Sequence, residues 1–154
     1  HKMDPLERRR IEDILHKHEQ KAVTESTLNP GAKATLESLR REGILIGILT
    51  RNLRENAFAI ARKHALQFDA VIGREEGPAK PDSFGVLQIC RQFGVAPGET
   101  MLVGDYLFDL LCAKGAGAVG VLLANHSQAE EFAEHADFCI EKISDILQII
   151  NDNK

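Results

Sequence analysis

Ile44-Leu45-Ile46-Gly47-Ile48-Leu49-Thr50-Arg51-Asn52 is the stretch on which the fold turns. Its first six residues are apolar or glycine and rich in isoleucine, without the alternation of a half-exposed strand, so it reads as a strand buried on both faces. It then stops at a hydroxyl, a guanidinium and an amide. Working outward, similar runs recur at Ala70-Val71-Ile72, Met101-Leu102-Val103, Ala118-Val119-Gly120-Val121-Leu122-Leu123 and Phe138-Cys139-Ile140. Helical spacing fills the intervals at about 53–64, 83–93, 108–114, 128–135 and 144–150. Upstream, a helix opening at Asn29-Pro30-Gly31 carries Leu36 and Leu39 inward and stops at Gly43. Strand–helix alternation of this kind predicts an α/β fold with a parallel sheet flanked by helices. In such sheets ligands bind beyond the carboxyl ends of the strands, so function is expected just after the apolar runs.

A further helix is predicted over 5–25. Asp4 suits its N-cap, Pro5 its first position and Glu7 a capping box, while Ile11, Ile14, Leu15, His18 and Ala22 share one face. Ser127 and Glu130 suggest another capping box. A net charge of −4 gives no electrostatic reason to expect a nucleic-acid or membrane surface. No apolar run is long enough to span a bilayer and no secretory signal is present, so the expected location is cytoplasmic. Cys90, Cys112 and Cys139 are scattered without a CxxC pair and read as small buried apolar residues in a reduced compartment. The six histidines form no metal site; His16 and His18, two apart on a helix, diverge. His1-Lys2 ahead of Met3 reads as an addition before a start codon.

Three polar places carry candidate chemistry. Thr50, with the backbone N–H groups of Arg51 and Asn52 at the start of a helix, can cradle an anion, or Thr50 can simply cap that helix. Gly104-Asp105-Tyr106-Leu107-Phe108-Asp109 follows the third run: Gly104 lets the backbone turn tightly at the strand end, and two carboxylates stand four residues apart. They can converge on a hard cation such as Mg²⁺, or Asp109 can serve only as a favourable acid at a helix N-terminus. Lys80, ahead of Pro81 in a polar loop, can neutralise a phosphate or a carboxylate, or be merely solvated.

Taken in order, these stretches resemble the second, third and fourth motifs of the haloacid dehalogenase-like hydrolase superfamily. They are Ile48-Leu49-Thr50-Arg51-Asn52, Lys80-Pro81-Asp82 and Val103-Gly104-Asp105-Tyr106-Leu107-Phe108-Asp109, with Gly115-Ala116-Gly117-Ala118 supporting them. The resemblance covers nearly the whole chain. It implies a Rossmann-like core over residues 29–154, preceded by a helix at 1–28 left from a small helical cap. It also implies a phosphatase-like member that hydrolyses phosphate monoesters with Mg²⁺ through an aspartyl-phosphate. By similarity Thr50 hydrogen-bonds the transferring phosphoryl group and Lys80 stabilises its charge together with that of the nucleophile. Asp105 and Asp109 serve the metal, and Arg51 and Asn52 line the phosphate pocket. The implied partner is a small phosphorylated substrate, with neither nucleic acid nor membrane.

The same resemblance expects an earlier strand ending in Asp-x-Asp, whose first aspartate is the nucleophile. No such motif occurs: Asp4, Asp13, Asp69, Asp82, Asp137, Asp145 and Asp152 all lie outside any such pair after an apolar run. The chain alone is therefore expected to be inactive. The missing strand belongs mid-sheet, between the strands ending at Thr50 and Gly104. Each buried group left unpaired there costs roughly 1–3 kcal/mol, against a typical domain stability of about 5–15 kcal/mol. Sequence upstream fills the slot, or the neighbouring strands close up, or another chain enters and promotes a homo-oligomer. The alternative from another class is a noncatalytic α/β module that binds phosphate, metal or protein. A receiver-like signalling domain fits less well, because its N-terminal acidic cluster is replaced by a basic-faced helix. The sequence does not name a substrate, nor separate a phosphatase from a dehalogenase or mutase.

Overall fold

Among the described residues five parallel strands form, but as two sheets. The computed structural model describes residues 26–153 together with Asp4, Leu6, Arg9, Arg10 and Asp13. In chain order the elements are α1 (Ala32–Arg41), β1 (Gly47–Leu49), α2 (Arg54–Lys63), β2 (Ala70–Ile72), α3 (Phe84–Phe93), β3 (Met101–Gly104), α4 (Leu107–Ala116), β4 (Val119–Leu123), α5 (Ala129–Phe132), β5 (Phe138–Ile140) and α6 (Ile146–Asp152). Single 3-10 turns precede or follow several of them. No described helix is long and apolar enough to cross a membrane.

β1 pairs with β2 in the register Gly47 to Ala70 and Leu49 to Ile72. β4 lies between β3 and β5, with Val103 opposite Val121 and Leu122 opposite Cys139. No ladder joins β1 to β3, so these two neighbours do not close up on one another. Burial marks the same break: all of β2 and nearly all of β4 are buried, whereas every residue of β1 and β3 stays partly exposed.

A helical layer holds the two sheets together. α3 packs on β1 and β2, α4 on β3 and β4, and the two helices touch. Val86 and Cys90 of α3 and Cys112 and Ala113 of α4 form one buried cluster that takes in Leu49 from β1 and Leu102 from β3. The approach is close: a Cβ on Gly85 would lie 2.3 Å from Leu49 Cδ1. On the other face Val121, Leu123 and Ile140 pack with Ile149 of α6.

Local chemistry sets the element ends. α3 stops at Gly94, which turns left-handed (φ 67°) so that the Val95 N–H reaches the Cys90 carbonyl at 3.1 Å. α2 stops the same way without a glycine: Ala65 takes φ 55° and the Leu66 N–H donates to Ala61 O at 2.8 Å. Asp69 and Asp137, each just ahead of a strand, pin register. The Asp69 carboxylate accepts the Ile46 N–H at 2.8 Å, and that of Asp137 accepts the Gly120 N–H at 2.8 Å.

Several expectations need correcting. The run Ile44–Leu49 contributes only its last three residues to a ladder, because the Ile46 N–H goes to the Asp69 side chain. The box expected from Ser127 and Glu130 does not form; the His126 ring Nδ1 accepts the Gln128 N–H at 3.2 Å instead. Cys90 and Cys112 are buried, but Cys139 is exposed, since β5 is an edge strand and Cys139 alternates outward from Ile140. The helix expected over 5–25 lies largely outside the described residues. Of its described positions Leu6, Arg9, Arg10 and Asp13 are helical, and Asp4 Oδ1 accepts the Leu6 N–H at 3.2 Å.

Candidate functional site

Polar residues collect at the carboxyl ends of β1 and β3, on either side of the break. The Thr50 N–H continues the ladder to Ile72 O at 3.0 Å, and its Oγ1 accepts the Asn52 N–H at 3.0 Å. The hydroxyl thus keeps its own proton free to donate. Thr50 is not the cap of α2: that position is Leu53, and the Arg54 N–H is taken by Glu75 Oε1 at 2.9 Å. Of the cradle expected here, the Asn52 N–H is therefore spent on Thr50. The Arg51 N–H has no partner among the described residues.

Glu75 and Glu76 were not anticipated as contributors. Glu76 receives the Gly73 N–H at 3.1 Å and pairs with Arg54 at 2.8 Å, so the turn after β2 clamps the start of α2. The signal was present, since both follow an apolar run where polar residues were already suspect.

Lys80 and Asp109, 29 residues apart, meet directly: Lys80 Nζ lies 2.5 Å from Asp109 Oδ1, with side-chain exposures of 16% and 9%. The Lys80–Pro81 peptide is cis. The other oxygen of Asp109 accepts the Tyr106 N–H at 3.2 Å, at the start of α4. Both oxygens of this buried acid are therefore engaged, and Lys80 retains two N–H donors. Gly104 is needed for space rather than for a tight turn: a Cβ there would fall 2.2 Å from both Cγ and Oδ2 of Asp109.

Asp105 differs. It is exposed, and its carboxylate makes no hydrogen bond or ion pair with a described residue. Its backbone carbonyl accepts a hydrogen bond from His126 Nε2. The other ring nitrogen, Nδ1, accepts the Gln128 N–H at 3.2 Å. His126 was missed at the sequence level, though Ala124-Asn125-His126 follows an apolar run just as Thr50 does.

Arg51 closes the group from the β1 side. Its guanidinium carbon lies 5.6 Å from the centroid of the Phe108 ring, the residue before Asp109. Tyr106 meets Phe108 edge-on at 5.3 Å and Phe132 at 5.0 Å. The two strand ends thus face each other across the break. Among the described residues no three metal-ligating side chains cluster. The free Asp105 carboxylate, with Asp109 behind it, suits a hard cation that also keeps waters and phosphate oxygens, not one caged by protein alone.

A family model described as haloacid dehalogenase-like hydrolase matches residues 2–122. An uncharacterized hydrolase of Saccharomyces cerevisiae is 30% identical over 156 aligned positions, covering 96% of this chain and 72% of that protein. A phosphoglycolate phosphatase of Mannheimia succiniciproducens is 29% identical over 130 positions, covering 81% of this chain and 58% of its own length. The crystal structure of a haloacid dehalogenase-like hydrolase from Bacteroides fragilis superposes with a TM-score of 0.80 at 25% identity, over 94% of this chain and 72% of that one. The chain therefore spans between 58% and 72% of these three proteins.

Proposed function

Since the chain belongs to the haloacid dehalogenase-like hydrolases, we propose that it supplies the phosphate-binding part of a phosphate-monoester hydrolase. The nucleophilic aspartate of that enzyme comes on a strand lodged between β1 and β3. The observation that carries this is the break itself: two unjoined parallel strands carry Thr50 on one side and Asp105 on the other, with the Lys80–Asp109 pair at the same end. Three of the relatives most similar in sequence are named as phosphatases or a pyrophosphatase, which supports the reaction class.

In this reading a phosphoryl group lies between the strand ends. The Thr50 hydroxyl donates to one of its oxygens, and the Arg51 N–H is placed for another. Lys80 directs its remaining donors at the phosphate while Asp109 fixes its position. That charge compensation matters because a phosphoryl group attacked by a carboxylate brings two anions together, and donors fixed in advance stabilise what water would have to reorganise around. Mg²⁺, held by Asp105 and backed by Asp109, would neutralise phosphate oxygens and complete the site. The attacking aspartate would displace the substrate's alcohol by breaking its ester P–O bond, giving an aspartyl-phosphate that water then cleaves to release phosphate and restore the carboxylate. None of the 154 residues forms an Asp-x-Asp motif, so the chain by itself binds phosphate without turnover. That observation also keeps a second reading open, in which the module binds phosphate as its whole function.

The test is a titration with inorganic phosphate and Mg²⁺, followed by backbone amide chemical shifts. Shifts at Thr50, Arg51 and Asn52 together with Gly104 and Asp105, lost in Lys80→Met, are expected. Shifts confined to one strand end, or none at all, would remove the phosphate site.

A further inference from the structure

Among the described residues three cations near the strand ends are matched with carboxylates. Arg40 pairs with Asp69, Arg54 with Glu76 and Lys80 with Asp109. Arg51 pairs with none and makes no hydrogen bond to a described residue, although acidic residues outnumber basic ones by 23 to 19. It rests instead on Phe108. Stacking on a ring occupies the face of a guanidinium and leaves its in-plane N–H groups free, the arrangement that suits bidentate capture of an anion. Phe108 is itself braced edge-on by Tyr106, which in turn meets Phe132. The guanidinium is therefore propped in place at little extra entropic cost.

Its position differs from that of Lys80. Lys80 is largely buried and committed to Asp109, whereas Arg51 is exposed and drawn sideways to the rim. Neutralising the transferring phosphoryl group falls to Lys80, next to Asp109. A donor set at the rim, one residue from Thr50, is placed for whatever the phosphoryl group is attached to. We propose that Arg51 is a specificity residue that takes a second anionic group, a carboxylate or a second phosphate, on a small phosphorylated substrate. This rests on the phosphate site described above and adds the substrate class: phosphorylated acids or bisphosphates over neutral monoesters.

The test is isothermal titration of the chain with ethyl phosphate and with 2-phosphoglycolate, which carries a carboxylate where the former has a methyl group. The expected preference for 2-phosphoglycolate is about tenfold, the low end for a charge-assisted pair because Arg51 is exposed. Arg51→Gln should erase that preference, lowering the affinity for 2-phosphoglycolate about tenfold more than that for ethyl phosphate, and Arg51→Lys should restore part of it. Phe108→Leu, which removes the prop but not the charge, should reduce the preference. Equal binding of both ligands by the unaltered chain overturns the proposal. So does an Arg51→Gln effect that falls equally on both, since Arg51 would then grip the phosphoryl group itself. Binding of neither ligand would bring down the phosphate site as well, which separates the two failures.

Discussion

Gly104→Ala isolates the packing on which the site depends. Gly104 has no left-handed backbone to protect, so alanine loses nothing in conformation and gains about 0.4–1 kcal/mol by restricting the unfolded chain. Against that, its Cβ would sit 2.2 Å from Asp109 Cγ and Oδ2 and 2.4 Å from Asp109 Cβ. The last contact cannot be relieved by rotating the end of a side chain, so α4 or the strand tip must move. Overpacking of this kind costs about 1–3 kcal/mol. Displacing the carboxylate also strains its bonds to Lys80 and to the Tyr106 N–H, each worth about 1.5–3 kcal/mol as a charge-assisted hydrogen bond. A net loss of about 2–5 kcal/mol is expected, or about 1–2 M in the urea midpoint at the slopes usual for small domains. Gly98→Ala is the control, since a Cβ there meets nothing within 4 Å. In an Asp109→Gly background all three of these contacts are gone and Gly104→Ala should cost under about 0.5 kcal/mol, a double-mutant cycle that reads the contact directly. A full penalty in that background, or none in the unaltered chain, would refute the reasoning.

Other consequences follow from the same structure. Lys80→Met leaves Asp109 buried with one bond fewer and should cost about 2–3 kcal/mol by chemical denaturation, less than for a wholly buried pair because Lys80 keeps some exposure. Burial pushes the Cys112 thiol above its ordinary 9.0, only partly offset by the nearby Lys80 charge. Alkylation should therefore reach exposed Cys139 well before Cys112, as mass spectrometry of quenched samples would show. The sign for stability follows: the buried thiol contributes fully below the ordinary cysteine value, and that contribution is lost as pH rises through the raised folded value. Heat stability should thus fall above about pH 9, less in Cys112→Ala than in the unaltered chain. Ala65→Gly should stabilise by about 0.5–1 kcal/mol in a urea melt, because it relieves a left-handed alanine at the end of α2.

The strands and helices were legible because each is a run of one period closed by a recognisable stop, as with the apolar stretch ending at Thr50 or the helix ending at Gly94. The candidate residues were legible by order alone, Thr50 then Lys80 then Gly104-Asp105, since each follows a run or a turn. What joins them was not. The Lys80–Asp109 pair spans 29 positions, and periodicity carries no information about which loop folds over which strand. Gly104 suggested a turn, while its role is to admit a carboxyl group, a requirement set by α4 and visible only in three dimensions. Thr50 looked like a helix cap because the chain turns there, yet the cap function passed to Glu75, on a segment after the next strand. The break in the sheet was legible as a missing motif; that the neighbours stay apart depends on α3 and α4 bridging them.

The most direct measurement is hydrolysis of para-nitrophenyl phosphate with Mg²⁺ by the chain alone and by the chain preceded by an Asp-x-Asp strand taken from a relative ahead of the matched region. The account predicts no turnover without the strand, turnover with it, and loss again when its first aspartate becomes asparagine or Lys80 becomes methionine. A folded, strand-bearing protein that binds phosphate yet turns nothing over would contradict it, as would turnover by the chain alone that survives Lys80→Met.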